Sequence, residues 1–257
     1  MEHANLQIFI LTVVMCFLIL YKIFSARAGK RIYIRRIPGL TEIDEAVGRA
    51  TEMGRPMLFH PGTLDFTNIS TLAAMGVLGH VAKLGAKMGT RLITITAVPV
   101  VVPVAEEVVR QAYMDEGRPE LFSPEDVRFL TSQSDQLALA AARLMREEQT
   151  ASHFFFGFYD YTSLLFTEPG QHHGAIQIAG CAEYFQVPFF IASCDYTVIG
   201  EELYAASAYL TREPTMLGSL IGQDYGKIII LGLIIAGVIA MTFGFGRQFI
   251  GIIGNYK

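Results

Sequence analysis

Residues 153–158 read HFFFGF: three consecutive phenylalanines, a glycine and a fourth phenylalanine. Successive side chains of a strand point to opposite faces, so this run loads both sides of a sheet with bulky apolar groups and demands cover on each. The same unbroken apolar character recurs at Met57–His60, Leu92–Val98, Val127–Thr131 and Val187–Ser193. Between these strands the spacing predicts helices near Thr41–Met53, Ile69–Met88, Val104–Glu116, Gln133–Glu148 and Gly174–Phe185, with a last helix near Gly200–Leu210. Such alternation implies right-handed βαβ units. The expected fold is α/β: a mainly parallel five-stranded sheet with helices on both faces, a Rossmann-like three-layer sandwich. Local signals agree. Thr41 and Asp44 form a T-x-x-D capping pattern, Ser123-Pro124 opens a short turn, and Gly54 and Gly89 stand where helices should close.

Outside this domain the composition changes. Leu6 to Phe24 reads LQIFILTVVMCFLILYKIF, with Lys22 its single charge, and Ile228 to Gly246 reads IIILGLIIAGVIAMTFGFG with none. At 1.5 Å per residue about twenty apolar residues cross a bilayer core. Three segments follow: an N-terminal transmembrane helix at 1–26, an α/β domain at 27–226, and a second transmembrane helix with a short tail at 227–257. Basic residues follow the first apolar run rather than precede it, and no small-x-small site ends it, so it reads as an anchor and not a cleaved signal. Lys22, Arg27, Lys30, Arg31, Arg35 and Arg36 precede the first acidic residue of the domain, Glu42. That excess marks the cytoplasmic side, with the N-terminus outside. The glycines at 232, 237, 244 and 246 would admit a neighbouring helix. The apolar tail from Arg247 either returns to the outside or lies in the interface.

Composition bounds the function. Apolar residues make up 52% and charged residues 17% of the 257, and mean hydropathy is +0.39; both fit a membrane protein. A net charge of −4 with no basic, aromatic-interleaved patch gives no surface for nucleic acid. The three cysteines offer no disulfide framework and no zinc spacing.

In an open parallel sheet, ligands bind beyond the carboxyl ends of the strands. Reading off those loops gives His60, Asp65, Tyr159, Asp160 and Asp195 as ligand-binding candidates. Carboxylates beside a histidine suit acid–base work. Aspartates after strands are equally ordinary helix caps, and tyrosines there are equally packing residues. No phosphate motif, GxxxxGK[ST] or GxGxxG, follows a strand. Adjacent His172 and His173 point about 100° apart on a helix and do not chelate one ion. Cys194, beside Asp195, reads as structural because a neighbouring carboxylate raises its pKa. No catalytic residue, metal site or cofactor is assigned. Two stretches are rich in small residues: Ile69–Met88 and Gly174–Phe185. They suit close helix packing within the domain or contact between subunits.

Several stretches occur together: RIPGL at 36–40, EAVGRATEMGRP at 45–56, EEVVR at 106–110, GAIQIAG at 174–180 and CDYTVIGEELYAASAYL at 194–210. With them the chain resembles a bacterial family of membrane-anchored proteins carrying a domain of unknown function, from about Arg36 to Lys227 and through the following helix. The resemblance implies the same domain and a bacterial source, and it assigns no activity. The expected role is a non-enzymatic membrane-anchored scaffold or accessory subunit of an oligomeric assembly, in a bacterial inner membrane. Its partners would be the membrane and either further copies or other membrane proteins. The alternative is a ligand-sensing or nucleotide-binding module, for a small molecule held by the strand-end loops. An enzyme acting at the membrane face ranks third.

Overall fold

Helix α1 (Leu6–Arg27) precedes a domain that runs α2 (Pro38–Thr41), α3 (Ile43–Met53), β1 (Met57–Gly62), α4 (Ile69–Met88), β2 (Leu92–Thr96) and α5 (Val101–Asp115). It continues β3 (Val127–Phe129), α6 (Ser134–Glu148), β4 (Ser152–Phe158), α7 (Ser163–His172), β5 (Ile176–Cys181), α8 (Val187–Ser193), β6 (Tyr196–Ile199) and α9 (Glu202–Thr211), before α10 (Pro214–Thr242). This computed structural model describes residues 6–28, 37–211 and 214–244; the tail from Arg247 lies outside them. The chain forms two compact units, residues 35–211 and the terminal helices with their flanks.

The larger unit carries one six-stranded sheet, entirely parallel, in the order β3-β2-β1-β4-β5-β6. One core lies under α3, α4, α5 and α9, and a second under α6, α7 and α8. The phenylalanines of β4 divide between them: Phe154 and Phe156 enter the first core and Phe155 the second. The sheet has six strands, not five, and the difference arises in one region. The expected helix at Gly174–Phe185 is strand β5, the expected strand at Val187–Ser193 is helix α8, and the stretch after it, expected as a loop, adds strand β6. The small residues of β5 answer the phenylalanines of β4: Ala179 and Gly180 pair with Phe155 and Phe156, and a Cβ on Gly180 would come within 2.4 Å of the Phe156 ring. α8 has almost no polar residue to show a period, and Pro188 in its first turn marks a helix start.

Helix α4 meets the length and hydropathy of a membrane span, yet most of it is buried inside the domain. Its small residues serve that burial. A Cβ on Gly85 would sit 2.9 Å from Met57, and one on Gly79 would sit 3.4 Å from Val108 of α5. Gly54 and Gly89 close α3 and α4 in left-handed conformation, as their positions predict. Thr41 is no cap: it ends α2, and its hydroxyl donates to the Ile37 carbonyl. At the amino edge of the sheet, Arg91 donates to both oxygens of Asp126 and to Glu148 at 2.8 Å, tying β2, β3 and α6 together.

In the smaller unit α1 and α10 pack antiparallel. Both are long and apolar enough to cross a membrane. Gly218, Gly222 and Gly226 face Ile23, Ile19 and Met15 in turn, so closely that a Cβ on any of them would fall within 2.7 Å of its neighbour. Small residues at four-residue spacing are the usual device for such approach. They precede the expected glycines, of which Gly232 and Gly244 have nothing within 4 Å of where a Cβ would stand. Lys22 Nζ sits 3.9 Å from the centre of the Tyr225 ring, and Arg27 donates to Thr215 Oγ1 at 3.2 Å.

Where β1 meets β4 the register slips between His60 and Gly62. Gly157 (φ 131°) and Gly62 (φ 89°) lie face to face there, and a Cβ on Gly157 would reach the Pro61 carbonyl at 2.2 Å. Gly157→Ala is expected to lower unfolding stability by about 3 kcal/mol or more, through backbone clash and left-handed strain. Gly48→Ala, mid-helix with open space around it, is expected to be neutral or stabilising by up to about 1 kcal/mol. Urea midpoints of the two variants against the parent check both.

Candidate functional site

The strand order 3-2-1-4-5-6 reverses between β1 and β4, and the crevice beyond their carboxyl ends is where doubly wound sheets hold ligands. His60 ends the apolar run of β1 and points into the second core. It is fully buried. Its Nδ1 lies 3.0 Å from the Ile95 carbonyl, an oxygen that only accepts, so Nδ1 carries the proton. The ring packs 4.7 Å from Phe166 and edge-on to Tyr159 at 5.5 Å. Nε2 has no hydrogen-bond partner among the described residues. Burial lowers the His60 pKa to about 4, so the ring is neutral at ordinary pH.

Tyr159 is equally buried; its hydroxyl donates to the His60 carbonyl at 3.1 Å and its ring meets Phe190 at 5.0 Å. Burial holds its pKa well above 10. His60 and Tyr159 therefore do meet, as a packed pair joining β1, β4, α7 and α8. Above them Thr63 donates its backbone N–H to the Phe158 carbonyl at 2.9 Å, joining the loops that follow β1 and β4.

The three aspartates occupy separate places. Asp160, half-buried, accepts from the backbone of Tyr161 at 2.7 Å and from Thr162 Oγ1 at 3.3 Å, shaping the turn into α7. Asp65 is half-buried in the turn before α4, where hydrogen bonds from Thr67 hold its carboxyl below the usual range. Asp195 lies at the opposite end of the sheet from the predicted edge. Because Val187–Ser193 is a helix, the loop after it leads into β6 and not out of a strand, so Asp195 stands at the amino edge. There Oδ2 accepts from Gln177 N at 2.8 Å, and Asp195 N donates to the Gln177 carbonyl at 2.9 Å. Asp160 and Asp195 thus line no common pocket.

Two polar groupings were not foreseen. Tyr161 OH donates to Asp135, linking the starts of α6 and α7. Beneath α7 and α8, Gln177 donates through Nε2 to the carbonyls of Thr167 at 2.9 Å and Ser193 at 3.0 Å, while its Oε1 lies 3.2 Å from His153 Nδ1. Thr150 Oγ1 lies 2.7 Å from His153 Nε2. A lone glutamine between Ile176 and Ile178 was the available signal, since a buried amide requires partners. His153 is fully buried and its pKa, too, is lowered to about 4 by that burial.

Two surface grooves stand apart from the strand ends. One, of about 580 Å³, runs between α4 and α5, with Gly76, Gly79, Val108 and Leu210 among its lining residues. The other, of about 340 Å³, lies between α6 and α7 near Arg146, Glu168, His172 and His173. Among the described residues no three His, Cys, Asp or Glu side chains are placed to hold a metal ion. Burial pushes the Cys194 thiol up to about 12, which leaves no thiolate for attack at neutral pH.

These features define a doubly wound α/β domain whose switch point carries a packed histidine–tyrosine pair, joined to a pair of apolar helices. The chain belongs to the family described as a domain of unknown function, DUF6754, whose profile matches residues 1–251. That match takes in α1 as well as the domain and α10. No curated protein and no solved structure matches the chain.

The buried histidines make stability depend on pH. Their folded pKa of about 4 lies below the ordinary 6.5, so between these values the unfolded chain binds more protons and stability rises with pH. Full stability holds above about pH 6.5 and is lost as pH falls toward 4, by up to about 3 kcal/mol per histidine. His80, its pKa also lowered by burial, adds loss of the same sign. Denaturant unfolding between pH 7 and 4.5 should show this slope, and His153→Gln should reduce it whatever its effect at pH 7.

Proposed function

We propose that the protein is a non-enzymatic, membrane-anchored scaffold or accessory subunit of an oligomeric membrane assembly. The observation that supports this reading is the surface over α4 and α5. Both helices follow parallel strands, so their amino ends lie together at the carboxyl edge of the sheet. There Ile69, Leu72, Val100 and Val104 expose their side chains, and the glycine-bearing groove runs on between the helices toward the Lys83–Asp115 ion pair. Aliphatic anchors beside such a groove suit a helix of a protein partner. The partners are further copies of this chain or other membrane proteins. The assembly would lie in a bacterial inner membrane; the run of Lys and Arg after α1 supports a cytoplasmic domain with the N-terminus outside.

A second reading rests on the strand order, which favours a ligand at the β1/β4 crevice beside Asp160. Thermal stabilisation by one ligand class, lost in Asp160→Asn, would support it.

The scaffold reading is tested by the mass of the full-length protein in mild detergent, by native mass spectrometry. A defined multiple of the 28.4 kDa chain, or a stable complex with another membrane protein, is expected. Leu72→Asp with Val104→Asp should release the protomer while changing fold stability by no more than about 0.5 kcal/mol per site, as surface substitutions do. A clean monomer before any substitution would overturn the reading.

A further inference from the structure

Helix α8 and the loop before it form an apolar surface that the domain does not cover. Val187, Phe190 and Ser193 face the core. Outward stand Tyr184 (79% exposed), Phe185 (57%), Phe189 (43%) and Ile191 (55%). At about 200 Å² per side chain these four expose roughly 450 Å². That matches the largest apolar patch of a typical monomer, which is often a functional surface, yet it is well short of the ~800 Å² per partner of a stable protein interface.

The chain's own connections say which surface is available to cover it. Both links to the apolar helices leave the domain at one place: Thr41 of α2 and Tyr209 of α9 lie 3.2 Å apart through their hydroxyls. That place is at strand β6, because α2 packs on it so closely that a Cβ on Gly39 would lie 2.9 Å from Val198. α8 packs on the same edge strand from the other face. The domain ends at Thr211 and the apolar span opens at Leu217, a separation of at most about 20 Å even if fully extended. The β6 edge is thus the part of the sheet that chain length ties to the bilayer. The patch chemistry agrees, since tyrosine and phenylalanine favour the membrane–water interface. From Glu147 to Thr211 the chain has no Lys or Arg, so any attraction to lipid there is apolar and not electrostatic.

We propose that the Tyr184–Ile191 surface seats in the lipid interface, giving the domain a third membrane contact beside the two terminal helices. The patch holds the domain in one orientation and leaves the α4/α5 surface free, so it operates whatever the number of subunits.

The protein has no tryptophan, which makes single-tryptophan reporters unambiguous. Phe185→Trp and Phe189→Trp are placed in the full-length chain, with Phe129→Trp on the opposite edge strand β3 as the comparison. Each is reconstituted into neutral phosphatidylcholine with and without brominated acyl chains. The expected result is blue-shifted emission and roughly half or more of the signal quenched at 185 and 189, with neither at 129. Water-like, unquenched emission at 185 and 189 would overturn the proposal. So would a blue shift without lipid quenching, which would mean that another protein surface covers the patch. Equal quenching at all three sites would also overturn it, because no particular face would then be seated. Failure here leaves the oligomer mass unaffected, so the scaffold reading and this one fall separately.

Discussion

Three adjacent phenylalanines in a central strand constrain almost everything else in the domain. Strand geometry sends Phe154 and Phe156 to one face and Phe155 to the other, and a buried aromatic side chain is worth about 2–3 kcal/mol of transfer free energy. That stabilisation is available only if both faces are roofed, so the fold needs helices on each side. It also needs a neighbouring strand with little bulk. β5 meets that need with Ala179 and Gly180 opposite the rings. On the other flank Phe59 of β1 stacks on Phe156 at 6.1 Å. The central strand is therefore fitted on both sides and above and below.

The same close filling accounts for the character of the strand-end region. His60 and Tyr159 stand where a doubly wound sheet would present ligand-binding groups, but both are consumed by packing and by hydrogen bonds to backbone carbonyls. A neutral imidazole, a phenol that keeps its proton and a protonated Cys194 offer little acid–base chemistry at neutral pH. What the domain leaves open lies on its helices: the grooves between α4 and α5 and between α6 and α7, and the apolar side of α8.

How much of this was legible depended on whether a residue's role was local. The bounds of α4 follow from its apolar span and its closing glycine, and they hold to the residue at Ile69 and Met88. β1, β2 and β4 announce themselves by unbroken apolar runs. β5 does not, because its Ala-Gly pair has meaning only against the rings of the adjacent strand, a contact between residues 156 and 180 that no local pattern carries. α8 fails for the opposite reason. Seven residues with exposed Phe189 and Ile191 look like a buried strand, since a helix with an uncovered apolar side shows no polar period. That exchange moved Asp195 to the wrong edge of the sheet. The capping motif at Thr41 misled similarly, since a threonine hydroxyl can satisfy the carbonyl behind it as readily as the amides ahead.

The glycine seam between α1 and α10 has its direction set by helix arithmetic. Four residues advance a helix by about 400°, so each step of the Gly218–Gly222–Gly226 series rotates the contact line about 40° around α10. The seam therefore winds around α10 as it follows α1 from Ile23 to Met15. A contact line that winds in this way makes the two helices cross at an angle, and it leaves the faces turned away from the seam as sites for lipid or for other helices.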